Sequence, residues 1–336
     1  MLLPPIFLNT PILTHPSLVL FQDQSAPRFL PVCDHYAGSE KLMRKSMLMQ
    51  SELGSIFDIT FDCEDGAATG NEAEHATLVA TLLNSEENKF QRIGVRVHDI
   101  ESRFFEADLR TIIGIAVEKI AYLVLPKIQD AQQVSAAIAK INQLSQVHGR
   151  AAIPIHVLIE THSALAEVHQ IAALPQVECL SFGIMDFVSS HFGAIPANAM
   201  RSPGQFTHPL IMRAKLEIAA ACHRYGKIPS HNVTTEFKDS AIVSGDATRA
   251  IMECAYTRMW SIHPNQIKPI IKALSPRSAE INEAITILGA AQQQQWGPIQ
   301  INGRLHDRAS YRHYWLLLKK AQMAQITLPE NAQHFL

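Results

Sequence analysis

Two acids close two short apolar runs in the middle of the chain: IPIHVLI leads into Glu160, and ECLSFGIM leads into Asp186. Between them Ala164, Leu165, Val168, Ile171 and Ala172 recur at helical spacing, so the segment reads as strand, helix, strand. Parallel strands joined by one returning helix point the same way, which brings both carboxylates to one carboxyl-terminal edge. Two carboxylates converging there, with little other charge nearby, suit a hard divalent cation such as Mg²⁺ or Mn²⁺. Singly, each has a plainer explanation. Asp186 can cap a following turn, and Thr161 and Ser163 beside Glu160 are themselves good caps.

The same edge collects Asp62, Glu64, Asp65, Arg96, Lys127 and His263 from the ends of other apolar runs. Arg96 lies inside VRVH, so its guanidinium needs a partner, and Glu64 is the expected one. That pair would also aim Arg96 at negative charge developing on a substrate. The acids of DCED can hold the arginine, bind the water shell of a metal, or simply solvate a loop. No HExxH pair and no GxSxG elbow occurs, which leaves zinc proteolysis and serine hydrolysis unsupported. His156 sits within an apolar run and reads as a satisfied core residue.

Eight runs must position these groups: RFLPVC (28–33), FDITFDCEDG (57–66), RIGVRVH (92–98), YLVLPK (122–127), the two described, KIPSHNV (227–233) and RMWSIHP (258–264). Helical patterns alternate with them, which predicts an α/β fold, a (β/α)₈ TIM barrel over 28–275. An arm over 1–27 precedes it, and a helical extension or lid over 276–336 follows. With 336 residues, a net charge of −2 and 18% charged residues, the composition is globular and gives no basic surface for nucleic acid. Five scattered cysteines read as buried thiols in a reducing compartment. No run reaches the length of a membrane span, and prolines interrupt the apolar N-terminus. A cytoplasmic protein is expected.

In order along the chain, FDCEDG resembles the DLED turn of the citrate lyase beta subunit and malyl-CoA lyase superfamily, and VRVH its VRIN strand. LVLPK resembles its LPK strand, VLIETHSAL its ETxxG segment, LSFGIMDF its fGxxDf strand end, and WSIHPNQI its IHPxQ signature. INGRLHDRASYR is similar to the GrlvD segment of the malyl-CoA lyase branch.

The resemblance implies a metal-dependent carbon–carbon lyase that cleaves or condenses a 3-hydroxyacyl-CoA thioester, giving an acyl thioester and a 2-oxo acid. It implies Glu160 and Asp186 as metal ligands, with Arg96, Glu64, Asp65 and Asp307 in catalysis. Arg96, Gly183, Met185, Lys45 and Pro264 would bind substrate, Lys45 by touching a coenzyme A phosphate. Backbone amides around Gly183–Asp186 would take the keto-acid carboxylate. It further implies a homotrimer or homohexamer whose lid carries Asp307 into a neighbouring subunit. The chain departs from the family at CDHYAGSEK, where members read fvPGsrp, and ETHSAL lacks the glycine of ETaxG. These departures leave open an aldolase acting on free 2-oxo acids without coenzyme A. A barrel kept as a non-catalytic scaffold is the third reading.

Overall fold

The computed structural model describes residues 14–21 and 28–336, so most of the arm expected over 1–27 lies outside the described residues. Two compact units form: Arg28–Leu274, and Ser275–Leu336 with the described part of residues 1–27.

Eight parallel strands close the first unit into a barrel in chain order. They are β1 (Cys33–Ala37), β2 (Asp58–Asp62), β3 (Ile93–Arg96), β4 (Ile120–Leu125), β5 (Ile155–Ile159), β6 (Val177–Phe182), β7 (Ile228–His231) and β8 (Arg258–Ser261). β8 returns to β1 with Cys33 opposite Met259 and His35 opposite Ser261. Alternation along each strand divides the side chains in two. Ile59, Phe61, Val95, Leu123, Val157, Ile159, Phe182 and Met259 pack in the main core with the helices. Tyr36, Tyr122, Val124, Leu158, Val233 and Trp260 form a separate cluster that fills the barrel.

The floor of the barrel is charged. Arg258, fully buried, donates to Asp58 Oδ2 at 2.6 Å and to the Pro31 carbonyl at 2.7 Å, and pairs with Asp34 at 3.0 Å. Arg92 donates to the other Asp58 oxygen at 2.7 Å, and the Tyr122 hydroxyl and Thr60 both donate to Asp34. Gly94 makes room for this layer, since a Cβ there would fall 2.2 Å from the Tyr122 ring. His156 is buried against that ring at 3.8 Å and bonds Glu178, as expected of a core histidine.

Three elements differ from the sequence reading. The first strand is Cys33–Ala37 rather than 28–33. Pro31 has no N–H to give a ladder, and the polar CDHYA segment is buried because its partners are buried with it. The helix between the two acids is two short ones, His162–Ala166 and Val168–Ala173. Asp186 does not end a strand. β6 stops at Phe182, and Asp186 stands in the first turn of the helix Ile184–Ser189.

In the second unit the helices Ser278–Gln293 and Arg308–Met323 pack around Leu288, Trp315 and Leu318. The segment between them folds into a hairpin of β9 (Ile299–Ile301) and β10 (Arg304–His306). All five cysteines are buried and free. Among the described residues no helix is long and apolar enough to cross a membrane.

Candidate active site

The acidic turn after β2 is built around Asp62. Its carboxylate accepts from the Glu64 amide at 3.0 Å and the Gly66 amide at 2.9 Å. Gly66 is glycine for lack of space, because a Cβ would fall 2.1 Å from Asp62 Oδ2. The outer edge of the same carboxylate takes Arg96 in a two-point clamp, Nε at 2.7 Å and Nη2 at 2.5 Å. Glu64 supplies the third contact, 3.2 Å from Nη1. The sequence paired Arg96 with Glu64; the structure gives Asp62 the larger share. Burial works against the Arg96 charge, and the Asp62 carboxylate more than offsets it, so the group is held firmly cationic.

Lys127, two residues past β4, bridges the turn to the next acid. Its ammonium pairs with Glu64 and, at 3.0 Å, with Asp65. Burial disfavours the Lys127 charge, but the Glu64 and Asp65 contacts outweigh it and raise its pKa. Asp65 is pushed down in turn: its partial burial is overcome by the Lys127 hydrogen bond. The Lys127 backbone sits at φ 53°, in the left-handed region, and its N–H is thereby aimed at Glu160 Oε1.

Glu160 follows β5 directly and is 2% exposed. Among the described residues the protein gives its carboxylate one donor, the Lys127 amide. Its pKa is raised to about 8, first by burial and then by the neighbouring Asp186 carboxylate. Gly183 leaves Glu160 its space, because a Cβ would lie 2.4 Å from Glu160 Oε2. A buried carboxylate with one donor and a second carboxylate acting on it is what a divalent cation relieves. Mg²⁺ in particular is held by one or two carboxylates and keeps several waters. The Glu160–Asp186 pair therefore fits the group the sequence calls for. Among the described residues no cluster of three or more His, Cys, Asp or Glu is arranged around a metal position.

Arg96, Glu64, Asp65, Glu160, Gly183 and Asp186 thus gather at one rim, together with Asp62 and Lys127. The other expectations fare differently. The Gly183 amide is spent on the Ile159 carbonyl at 3.0 Å and is not available to a substrate. Free first-turn amides of a helix N-terminus begin with the next residues, Met185 among them, and the Met185 side chain is half exposed. Lys45 stands exposed on the helix Glu40–Leu53, and Pro264 opens the helix Pro264–Leu274. Among the described residues no hydrogen bond or ion pair joins either to the rim.

In the second unit, Asp307 caps the helix Arg308–Met323 by accepting from the Ala309 amide at 3.0 Å. Tyr36 is not among the residues the sequence singles out, since it lies beyond the run 28–33. Its ring lies on β1 under the Arg96 guanidinium, 5.4 Å from the ring centre.

Residues 41–248 match the HpcH/HpaI aldolase/citrate lyase family. The chain is 25% identical over 281 residues to the L-malyl-CoA/beta-methylmalyl-CoA lyase of Rhodobacter capsulatus, spanning 80% of this chain and 88% of that protein. The crystal structure of a citrate lyase from Burkholderia xenovorans LB400 matches with a TM-score of 0.86 at 54% identity, covering 96% of this chain and 100% of that one. Protein CitE of Mycobacterium tuberculosis, solved with magnesium, acetoacetate and coenzyme A, shares the fold. Its TM-score is 0.68 at 19% identity, over 87% of this chain and 98% of that one. By a family match over most of its length and by a relative identical at more than half of the aligned positions, the chain belongs to the HpcH/HpaI aldolase/citrate lyase family, and its chemistry is that of a carbon–carbon lyase.

Proposed function

We propose that the barrel cleaves, or in reverse forms, the bond between a 2-oxo acid and an acyl thioester, with Mg²⁺ held by Glu160 and Asp186. The observation that carries this reading is the buried Glu160 carboxylate, with one protein donor and Asp186 acting on it, beside a doubly clamped arginine. When bound, the cation would act as a Lewis acid on the hydroxyl and carboxylate oxygens of the substrate. The remaining work falls to the chain. Transfer of the hydroxyl proton to a base turns the hydroxyl into the oxo group as the carbon–carbon bond breaks, and the electron pair of that bond collects on the thioester carbonyl oxygen as an enolate. Arg96, already fixed by Asp62 and Glu64, keeps one N–H on each terminal nitrogen for that oxygen. Glu64 and Asp65 hold Lys127, and so the amide that anchors Glu160, in place. Met185 and its neighbours offer helix N-terminal amides to the 2-oxo acid carboxylate. Asp307, delivered by the second unit of a neighbouring subunit in a trimer or hexamer, would exchange the proton with the acyl carbon.

A second reading, an aldolase on free 2-oxo acids, is favoured by one observation. Where the family handles phosphate, this chain opens its helix with Glu40, paired to Arg44 at 2.9 Å, and Arg44 is shared with Glu87. A carboxylate in that first turn repels phosphate. The deciding experiment is a thermal-shift and product assay with acyl-CoAs, free 2-oxo acids and aldehydes, with and without Mg²⁺. Metal-dependent cleavage of a 3-hydroxyacyl-CoA establishes the first reading. Turnover confined to free 2-oxo acids and aldehydes establishes the second.

A further inference from the structure

The mouth of the barrel has two unlike walls. The strand ends of β2 to β6 carry a cluster of charge: Asp62, Glu64, Asp65, Arg96, Lys127, Glu160 and Asp186. On the opposite arc, among polar residues such as Ser261 and His263, three side chains are apolar. Tyr36 of β1 and Trp260 of β8 stack with ring centres 4.5 Å apart and planes 16° from parallel, and Val233, just past β7, packs in the same cluster. These three retain 8%, 7% and 7% exposure, whereas Tyr122 and Leu158 of that cluster retain 1% and 0%. Tyr36, Trp260 and Val233 are therefore the last layer of the barrel core, the one that meets whatever enters. Tyr36 also joins the two walls, because the Arg96 guanidinium lies over its ring.

Trp260 serves through its face. Its indole Nε1 is buried and meets no acceptor among the described residues, and an indole placed for its N–H would have one. The stack is also stiff, since β8 and β1 are hydrogen-bonded neighbours with Trp260 opposite Asp34 in the register. A close-packed pair of rings yields little to an added carbon.

We propose that the Tyr36–Trp260 stack, flanked by Val233, is the wall that limits the chain length of the 2-oxo acid. The carboxylate and oxo oxygens face the charged arc, and the substituent beyond the oxo carbon lies against the rings. This assignment rests on the proposed lyase reading and adds to it the residues that set specificity. A tight apolar wall discriminates each extra methylene by roughly 10-fold or more.

The test is calorimetric binding of glyoxylate, pyruvate, 2-oxobutanoate and 2-oxopentanoate to the full chain in saturating Mg²⁺. The wild type should lose affinity by about 100-fold or more between pyruvate and 2-oxopentanoate, which is two methylenes longer. Trp260→Leu, which opens the wall, should shrink that loss to about 3-fold or less, and Trp260→Phe, which keeps a ring, should preserve it. Val233→Ala reads the same wall through a smaller change and carries the test should Trp260→Leu not fold. Folded Trp260→Leu and Val233→Ala proteins with the wild-type length preference would overturn the assignment and leave the lyase reading standing. A wild type that binds no 2-oxo acid would overturn both. Binding with the expected length preference, but without cleavage of any thioester, would overturn the thioester reading and support the wall.

Discussion

Replacing Gly183 by alanine puts a methyl group where Glu160 already lies. The added Cβ would stand 2.4 Å from Glu160 Oε2 and 2.5 Å from the Glu160 Cβ. The Gly183 backbone is at φ −93°, which any residue adopts, so the conflict is with Glu160 alone. Neither side gives way cheaply: one atom is fixed to the β6 exit, and the carboxylate is tethered by the Lys127 amide. Overpacking of this kind costs about 1–3 kcal/mol. For a unit of this size that is a fall of about 2–10 °C in melting temperature. The effect on the site should be larger, because a carboxylate displaced by roughly 1 Å can cost about 100-fold in turnover. Magnesium affinity, read by calorimetry, should fall with it. Gly245→Ala is the control. Gly245 lies exposed in the helix Ser240–Cys254 with nothing within 4 Å of an added Cβ. There the same substitution should stabilise by about 0.5–1 kcal/mol. Wild-type melting, magnesium affinity and turnover in Gly183→Ala would refute the position assigned to Glu160.

Three further outcomes are expected. Glu160 has its pKa raised from 4.5 to about 8, so its contribution to stability is whole below the lower value and is lost as pH rises through the upper one. Without metal, Glu160→Gln should melt with the wild type at about pH 4 and above it at about pH 9; scanning calorimetry giving equal melting at both would sink the burial argument. Arg96→Lys keeps a charge but loses the fork that grips Asp62, so turnover should fall about 100-fold with KM little changed, and near wild-type turnover would make the arginine structural. Asp307→Asn keeps a good helix cap while removing the acid, and Asp307→Ala loses both, costing about 1 kcal/mol. Inactive Asp307→Asn with unchanged melting supports catalysis, and partial recovery in oligomers mixed with Glu160→Gln chains would place it in the neighbour's site; full activity of Asp307→Asn ends the proposal.

The barrel was legible because its outward strand positions are apolar and recur between helical patterns. Glu160 and Arg96 were legible because a charge next to such a run is conspicuous. What escaped lies inside the barrel. Arg258 is balanced by Asp34 and Asp58, the latter 200 positions away, and no local pattern announces a pairing at that distance. Hence CDHYA reads as a polar loop, although it is a buried strand. The helix that carries Asp186 was lost for another reason. FGIM, which leads into Asp186, carries no polar side chain, and a short apolar run does not show where a strand becomes a helix.

The same comparison separates the structural charge from the chemical one. In the lower layer two cations, Arg92 and Arg258, meet two acids, Asp34 and Asp58, and the charges balance. Such an arrangement closes on itself, and its value is to make a buried polar layer tolerable. At the rim two cations, Arg96 and Lys127, face Asp62, Glu64, Asp65, Glu160 and Asp186. The first three acids are consumed in holding those cations. The last two are left facing each other, one of them buried with a single amide for company. A folding requirement alone would have removed that excess or matched it with a base. A cation held by Glu160 and Asp186, as proposed, would balance that excess from outside the chain.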